Sequence, residues 1–202
     1  MENPKRMRGD ERRALILAQS KKVFAQHGYA DASTAELARA SGVTEPMLYK
    51  HFGSKKQLFL TLIDQVSQQF MQRFQAAVEQ KASEDALAAL SSLLLDYRAA
   101  AMADPDGSSV LGLISPDATD PDFVAAALEH TRIMYAFVYD LLQETRVRKL
   151  LPEHLNLPAA TWGTMSFFYA IQYRKKLALF DQFTPETLAE INRLWLQTLQ
   201  IG

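Results

Sequence analysis

The 202-residue chain contains no cysteine, which removes disulfide staples, thiolate nucleophiles and thiolate metal sites together. Its four histidines, His27, His51, His130 and His154, are scattered rather than paired at ligand spacing, so neither a metal site nor a cofactor is expected. Glu129 precedes His130 and Glu153 precedes His154, but adjacent helical residues point apart, and both histidines read as surface groups. Sustained polar-apolar alternation is missing, as are hairpin turns between alternating runs, so strands are not expected. HExxH, a Gly-rich phosphate loop and a Ser-His-Asp pattern are also missing, which argues against an enzyme. No stretch approaches the roughly 18 uninterrupted apolar residues of a membrane span. The densest, "TWGTMSFFYAIQYRKK", is too short, and the basic start "MENPKRMRGDERR" lacks the apolar core of a secretory signal. A cytoplasmic protein with no membrane partner is expected.

What is present is segregated charge. Residues 1–60 hold 11 Lys+Arg against 6 Asp+Glu, a net +5, and residues 61–202 hold 11 against 17, a net −6. A basic head on an acidic body fits a molecule of which only the head meets a polyanion.

Helical periodicity runs throughout and predicts an all-α chain of about nine helices. A first helix over residues 10–27 buries Ile16, Leu17, Val23 and Phe24 and is capped by Gly28. "STAE", from Ser33, is a capping box opening a short helix with Leu37, Ala38 and Ser41 on one face. After Gly42, with Val43 as a buried corner, Thr44 caps a third helix, "EPMLYKHF", whose first turn tolerates Pro46. Leu48 and Phe52 are four apart and pack inward, leaving Glu45, Pro46, Met47, Tyr49, Lys50 and His51 facing out. "SKKQ", from Ser54, opens a long helix running to about Val78. Further helices are predicted over 83–102, over "SSVLGLIS", from Asp120 and Pro121 to "RVRK", over 160–178, and from Thr184 and Pro185 onward.

Short helix, glycine-containing turn, short helix is the helix-turn-helix arrangement, whose second helix enters the major groove. Tyr49 and Lys50 can reach phosphate oxygens, and Met47 beside Pro46 offers an apolar edge to a thymine methyl. Lys55 and Lys56 lie at the positive end of their helix, where cations are disfavoured by roughly 0.3–1 kcal/mol and a phosphate would reverse the sign.

The run "RRALILAQSKKVFAQHGYADASTAELARASGVTEPMLYKHFGSKKQLF" resembles the DNA-binding module of the tetracycline-repressor (TetR) family of transcriptional regulators. Ile16, Leu17, Phe24, Gly28, Thr34, Leu37, Ala38, Gly42, Val43, Leu48, Tyr49, Phe52, Lys55 and Leu58 carry it with spacing preserved. The resemblance implies an all-helical homodimer with a three-helix head over 1–60 and a helical effector-binding and dimerisation body over 61–202. It implies that Thr34, Tyr49, His51 and Lys55 hold phosphates, and that Glu45, Met47 and Lys50 face bases or the groove wall. Gln19 stands where the family usually has a small residue. Glu45 puts an acid in the reading helix, which can accept from a cytosine amino group or repel phosphate and sharpen specificity.

Beyond residue 60 the pattern fades. Tyr97, Met102, Phe123, Met134, Phe137, Trp162 and Met165 are the candidates for an adaptable apolar ligand pocket. "WGTMSFFYAIQY" is apolar nearly all round, which implies a second buried face, and the resemblance implies that the last two helices pair with their mates. Phe168, Leu188, Ile191, Leu194, Trp195 and Leu199 are the expected dimer-interface residues. The reading is a ligand-responsive repressor that binds a near-palindromic double-stranded DNA operator as a homodimer and is released by a small, largely apolar effector. A helical interaction module whose basic head meets an acidic protein is the rival.

Overall fold

The computed structural model describes residues 9–114, 119–173 and 183–199. Among them lie nine α-helices and no strand: α1 (Gly9–Asp31), α2 (Thr34–Ala40), α3 (Glu45–Phe52), α4 (Lys55–Glu84), α5 (Ala86–Ala103), α6 (Pro105–Leu111), α7 (Pro121–Val147), α8 (Leu157–Tyr173) and α9 (Pro185–Thr198). Gly28 interrupts α1 with φ 79°, a left-handed value that a side chain would strain.

Ser33 and Ser54 accept hydrogen bonds from the Glu36 and Gln57 amides, each at 3.1 Å. Glu36 does not close the predicted box; its carboxylate pairs with His27 Nε2 at 3.3 Å, so the second helix is tied to the first. Thr44 caps α3 through its backbone position, with no side-chain bond. Several boundaries differ from expectation, α8 beginning at Leu157 rather than 160 among them. α4 runs to Glu84 because no Gly or Pro stops it near Val78, and Asp85, not Ser83, caps α5 by accepting from the Leu87 and Ala88 amides. α6 begins at Pro105, inside the segment expected to break the chain, because Asp104 accepts from the Gly107 amide and Pro105 is preset for the first turn. The end predicted for the eighth helix, residues 174–178, lies outside the described residues.

α4 is the spine. It packs on α1 and α3 at its start and on α5, α6 and α7 further along, while α5 carries α8 and α9 and α7 lies against α8. One apolar core runs from Ile16 and Phe24 through Leu62 and Phe74 to Tyr97, Phe168 and Leu188. Among the described residues, α5 is the helix long and apolar enough by composition to cross a membrane. Half of it is buried in this core, and it carries Asp96, whose carboxylate accepts from Lys81 Nζ at 2.7 Å.

Candidate nucleic-acid interface and body cavity

The head is built on two residues of α3. Leu48 is 0% exposed and Phe52 is buried beside it, both in the core shared with Phe24 of α1, Leu37 of α2 and Leu58 of α4. With that side down, Pro46, Tyr49 and Lys50 are exposed and Glu45, Met47 and His51 are half-buried. α3 packs chiefly on α2 and α4.

Four contacts fix the angle of α3. Arg13 donates to the His51 carbonyl at 2.6 Å with its guanidinium 4.2 Å above the Phe52 ring. Arg12 Nη1 lies 3.6 Å from Met47 Sδ. Thr34 Oγ1 donates to Glu45 at 2.6 Å, joining the starts of α2 and α3. Gly53, with φ 74°, ends α3 and lets its amide bond the Tyr49 carbonyl at 2.7 Å. Sequence reasoning missed Arg12 and Arg13, although two adjacent arginines one helix upstream in a basic head were a usable signal. It also missed the Thr34–Glu45 bond, a third role for the acid besides base acceptance and phosphate repulsion.

The two lysines opening α4 part company. Lys55 Nζ donates to the Ala30 carbonyl at 3.2 Å and sits 4.6 Å above the Tyr29 ring; desolvation lowers its pKa, against the raising effect of Asp31. Lys56 bridges Asp120 (2.8 Å) and Asp122 (2.6 Å) at the start of α7. Hydrogen bonds to these two aspartates raise its pKa. The charge expected to await a phosphate is thus neutralised from within at Lys56. A parallel clamp joins Lys21 of α1 to Asp104, the N-cap of α6, at 2.7 Å. Both clamps use the N-cap acid of a body helix to hold a lysine of the head.

Phe123 lies in this junction and not in a pocket, with its ring 4.8 Å from Tyr29 and 5.4 Å from Phe59. Of the seven expected pocket residues, Tyr97, Met134 and Met165 line a partly open cavity of about 70 Å³ between α5, α6, α7 and α8. Phe137 turns edge-on to Phe74 at 5.3 Å and faces an outer groove between α4 and α7. Met102 and Trp162 lie on the surface, Trp162 51% exposed, because each falls on the outward side of its helix.

Phe168, expected at a dimer interface, lines the cavity instead. It is 1% exposed and stacks on Tyr97 with centroids 4.2 Å apart and planes at 5°. Leu188 and Leu199 are likewise buried within the subunit, whereas Ile191 is half-buried, with one side packed against the core. Leu194 is 49% exposed. Trp195 is half-buried, donating from Nε1 to Thr164 Oγ1 at 3.1 Å and covering Gly163. A Cβ at residue 163 would overlap that indole ring, so Gly163→Ala is expected to destabilise the fold by about 1–3 kcal/mol despite its better helix propensity. A urea-unfolding midpoint above that of the native chain would contradict this packing.

His130 corrects another expectation. It is half-buried rather than a free surface group and lines the cavity, with Nδ1 2.7 Å from Ser67 Oγ, and desolvation lowers its pKa to about 4. The adjacent Glu129 does point away, toward Arg132 at 2.8 Å.

Residues 16–62 match the family model described as bacterial regulatory proteins, tetR family. The chain is 41% identical over 58 residues to the transcriptional activator FasR of Mycolicibacterium smegmatis, covering 29% of this chain and 26% of that one. It is 29% identical over 126 residues to the transcriptional repressor AcnR of Corynebacterium efficiens, covering 60% and 59%. The chain therefore spans about a quarter of the first of these relatives and less than two thirds of the second. In fold it is similar to the transcriptional regulator FadR of Bacillus subtilis in complex with stearoyl-CoA, with a TM-score of 0.72, 18% identity and coverage of 92% of this chain and 96% of that one. Residues 16–62 thus carry the helix-turn-helix sequence of bacterial regulatory proteins of the tetR family, and the described residues share the all-α fold of the solved FadR.

Proposed function

We propose that the chain is a cytoplasmic transcriptional repressor that binds a near-palindromic DNA operator as a homodimer and is released by a small, largely apolar effector. The observation that carries the reading is the outward side of α3, where Pro46, Tyr49 and Lys50 project from a helix fixed by Leu48 and Phe52 beneath it. Such a helix fits the major groove, and the basic head supplies the sequence-independent part of the affinity. The proposed DNA-contacting set remains Thr34, Glu45, Pro46, Met47, Tyr49, Lys50, His51 and Lys55. The exposed Trp162, Tyr169 and Leu194 on α8 and α9 support pairing with a second copy, since apolar groups of this size on neighbouring helices gain by mutual burial. The cavity supports an effector, and FadR, of similar fold, is itself a complex with stearoyl-CoA.

Gel-shift titration of genomic fragments at two salt concentrations tests the reading. Binding that survives competitor DNA and weakens with salt is expected; no binding at low salt refutes it. Roles within α3 separate by substitution. Tyr49→Phe and Lys50→Ala are expected to weaken binding to every duplex alike, the latter reducing the salt slope by about one, whereas Met47→Ala changes which bases are preferred. Equal effects of all three on all sequences would refute the assignment.

A further inference from the structure

His130 stands on a boundary. Its side chain helps line the body cavity, with Tyr97, Met134 and Met165, and also the more open groove of about 460 Å³ between α4 and α7, with Ser67, Gln68 and Gln72. Ser67 is buried, its hydroxyl is bonded to Nδ1 of the imidazole, and the ring lies edge-on to Phe70 at 6.1 Å. His130, bonded to Ser67, therefore stands between the two spaces, with one member of the pair from α4 and one from α7.

The two spaces differ in charge. The groove carries Asp64 and Glu129, whereas no Lys, Arg, Asp or Glu is among the described residues lining the cavity. A charged ligand group placed inside would face desolvation with no opposite charge among these residues, which is far costlier than burying a hydrogen-bonded neutral group. A neutral hydroxyl or carbonyl is satisfied by imidazole, which donates from one nitrogen and accepts at the other. Met134 and Met165, unbranched and readily turned, are the side chains that can yield room to a longer apolar body.

Resting on the effector reading above, we propose that His130 is the polar recognition group for an uncharged effector, whose apolar body fills the cavity and whose single hydroxyl or carbonyl takes the imidazole in place of Ser67. Ser67 is then the internal competitor for that bond. Its displacement separates α4 from α7, and the start of α7 is what grips Lys56 and Tyr29 of the head.

Three probes of equal chain length test this in the full chain, without DNA, by the fluorescence of Trp162 and Trp195 and by thermal shift: 1-octanol, octanoate and octylamine at pH 7.5. The alcohol is expected to bind at least about tenfold more tightly than either ion, consistent with the cost of an unpaired buried charge. Ser67→Ala is expected to tighten 1-octanol binding a few-fold and His130→Phe to weaken it about tenfold, with His130→Gln restoring part of the loss. A role in packing alone would not move the two sites in opposite directions. Octanoate or octylamine binding as tightly as the alcohol, no binding by any probe, or an unchanged affinity in His130→Phe would overturn the proposal. Tight binding of octanoate alone would leave the effector reading standing while removing this one, and DNA binding is judged separately by the salt titration.

Discussion

Leu48→Asp is expected to abolish DNA binding while the body stays folded. Leu48 is fully buried where α1, α2, α3 and α4 meet, in a head whose core is a handful of side chains. Truncating such a leucine to alanine costs about 2–5 kcal/mol, and an uncompensated carboxylate costs more. The head has few reserves against that. α3 is eight residues long, far below the length at which a helix holds itself in water, so it exists only while Leu48 and Phe52 pack. The contacts around Phe74, Tyr97 and Phe168 belong to the same core but do not include Leu48, and the body is expected to keep its helices. Circular dichroism is expected to show a modest helix loss with a surviving cooperative melt, alongside an empty gel shift. A Leu48→Asp chain that shifts DNA like the parent would show that α3 is not the reading element.

The second large effect is on stability against pH. His130 titrates near 4 in the folded chain because burial disfavours its cation, against about 6.5 when unfolded. Between those values the unfolded chain binds more protons, so stability is full above pH 6.5 and falls as the pH drops toward 4. The shift corresponds to a loss of about 3 kcal/mol over that window. Carboxylates held low, such as Asp104 and Asp120, lose their partners only at still lower pH, so the histidine acts first. Desolvation raises rather than lowers the Asp104 value, and it is outweighed by the hydrogen bonds from Lys21 and the Gly107 amide and by nearby positive charge. Denaturant titrations at pH 7.5 and 4.5 are expected to differ by that amount in the native chain and by much less in His130→Phe. An identical pH dependence in the two chains would mean that His130 is not buried as described.

The head was legible in the sequence because its rules are local. Capping serines, two terminating glycines and the four-residue spacing of Leu48 and Phe52 decide which way a short helix faces without reference to distant residues. The body was legible as helices but not as a site. Whether Trp162 or Phe168 points into the cavity depends on how α8 is rolled against α5 and α7, and a helix apolar nearly all round does not announce its roll. The two aromatics accordingly exchanged places, Phe168 stacking on Tyr97 and Trp162 turning outward to meet Tyr135 at 5.2 Å. Ionic partners were hidden for the same reason. Lys56 and Asp120 are remote in sequence, and nothing local distinguishes a lysine held by the body from one left for DNA. His130 read as a surface residue because it was weighed only against the adjacent Glu129, whereas its partners Ser67 and Phe70 are remote in sequence.

Selection of bound duplexes from a random library tests the central claim most directly, namely that two copies of α3 are presented to one DNA. The account predicts enrichment of an inverted repeat whose half-site centres lie about one helical turn, or a whole multiple of it, apart, with enrichment lost in Leu48→Asp. Recovery of sequences with no common half-site, or the same enrichment from the Leu48→Asp chain, would contradict it.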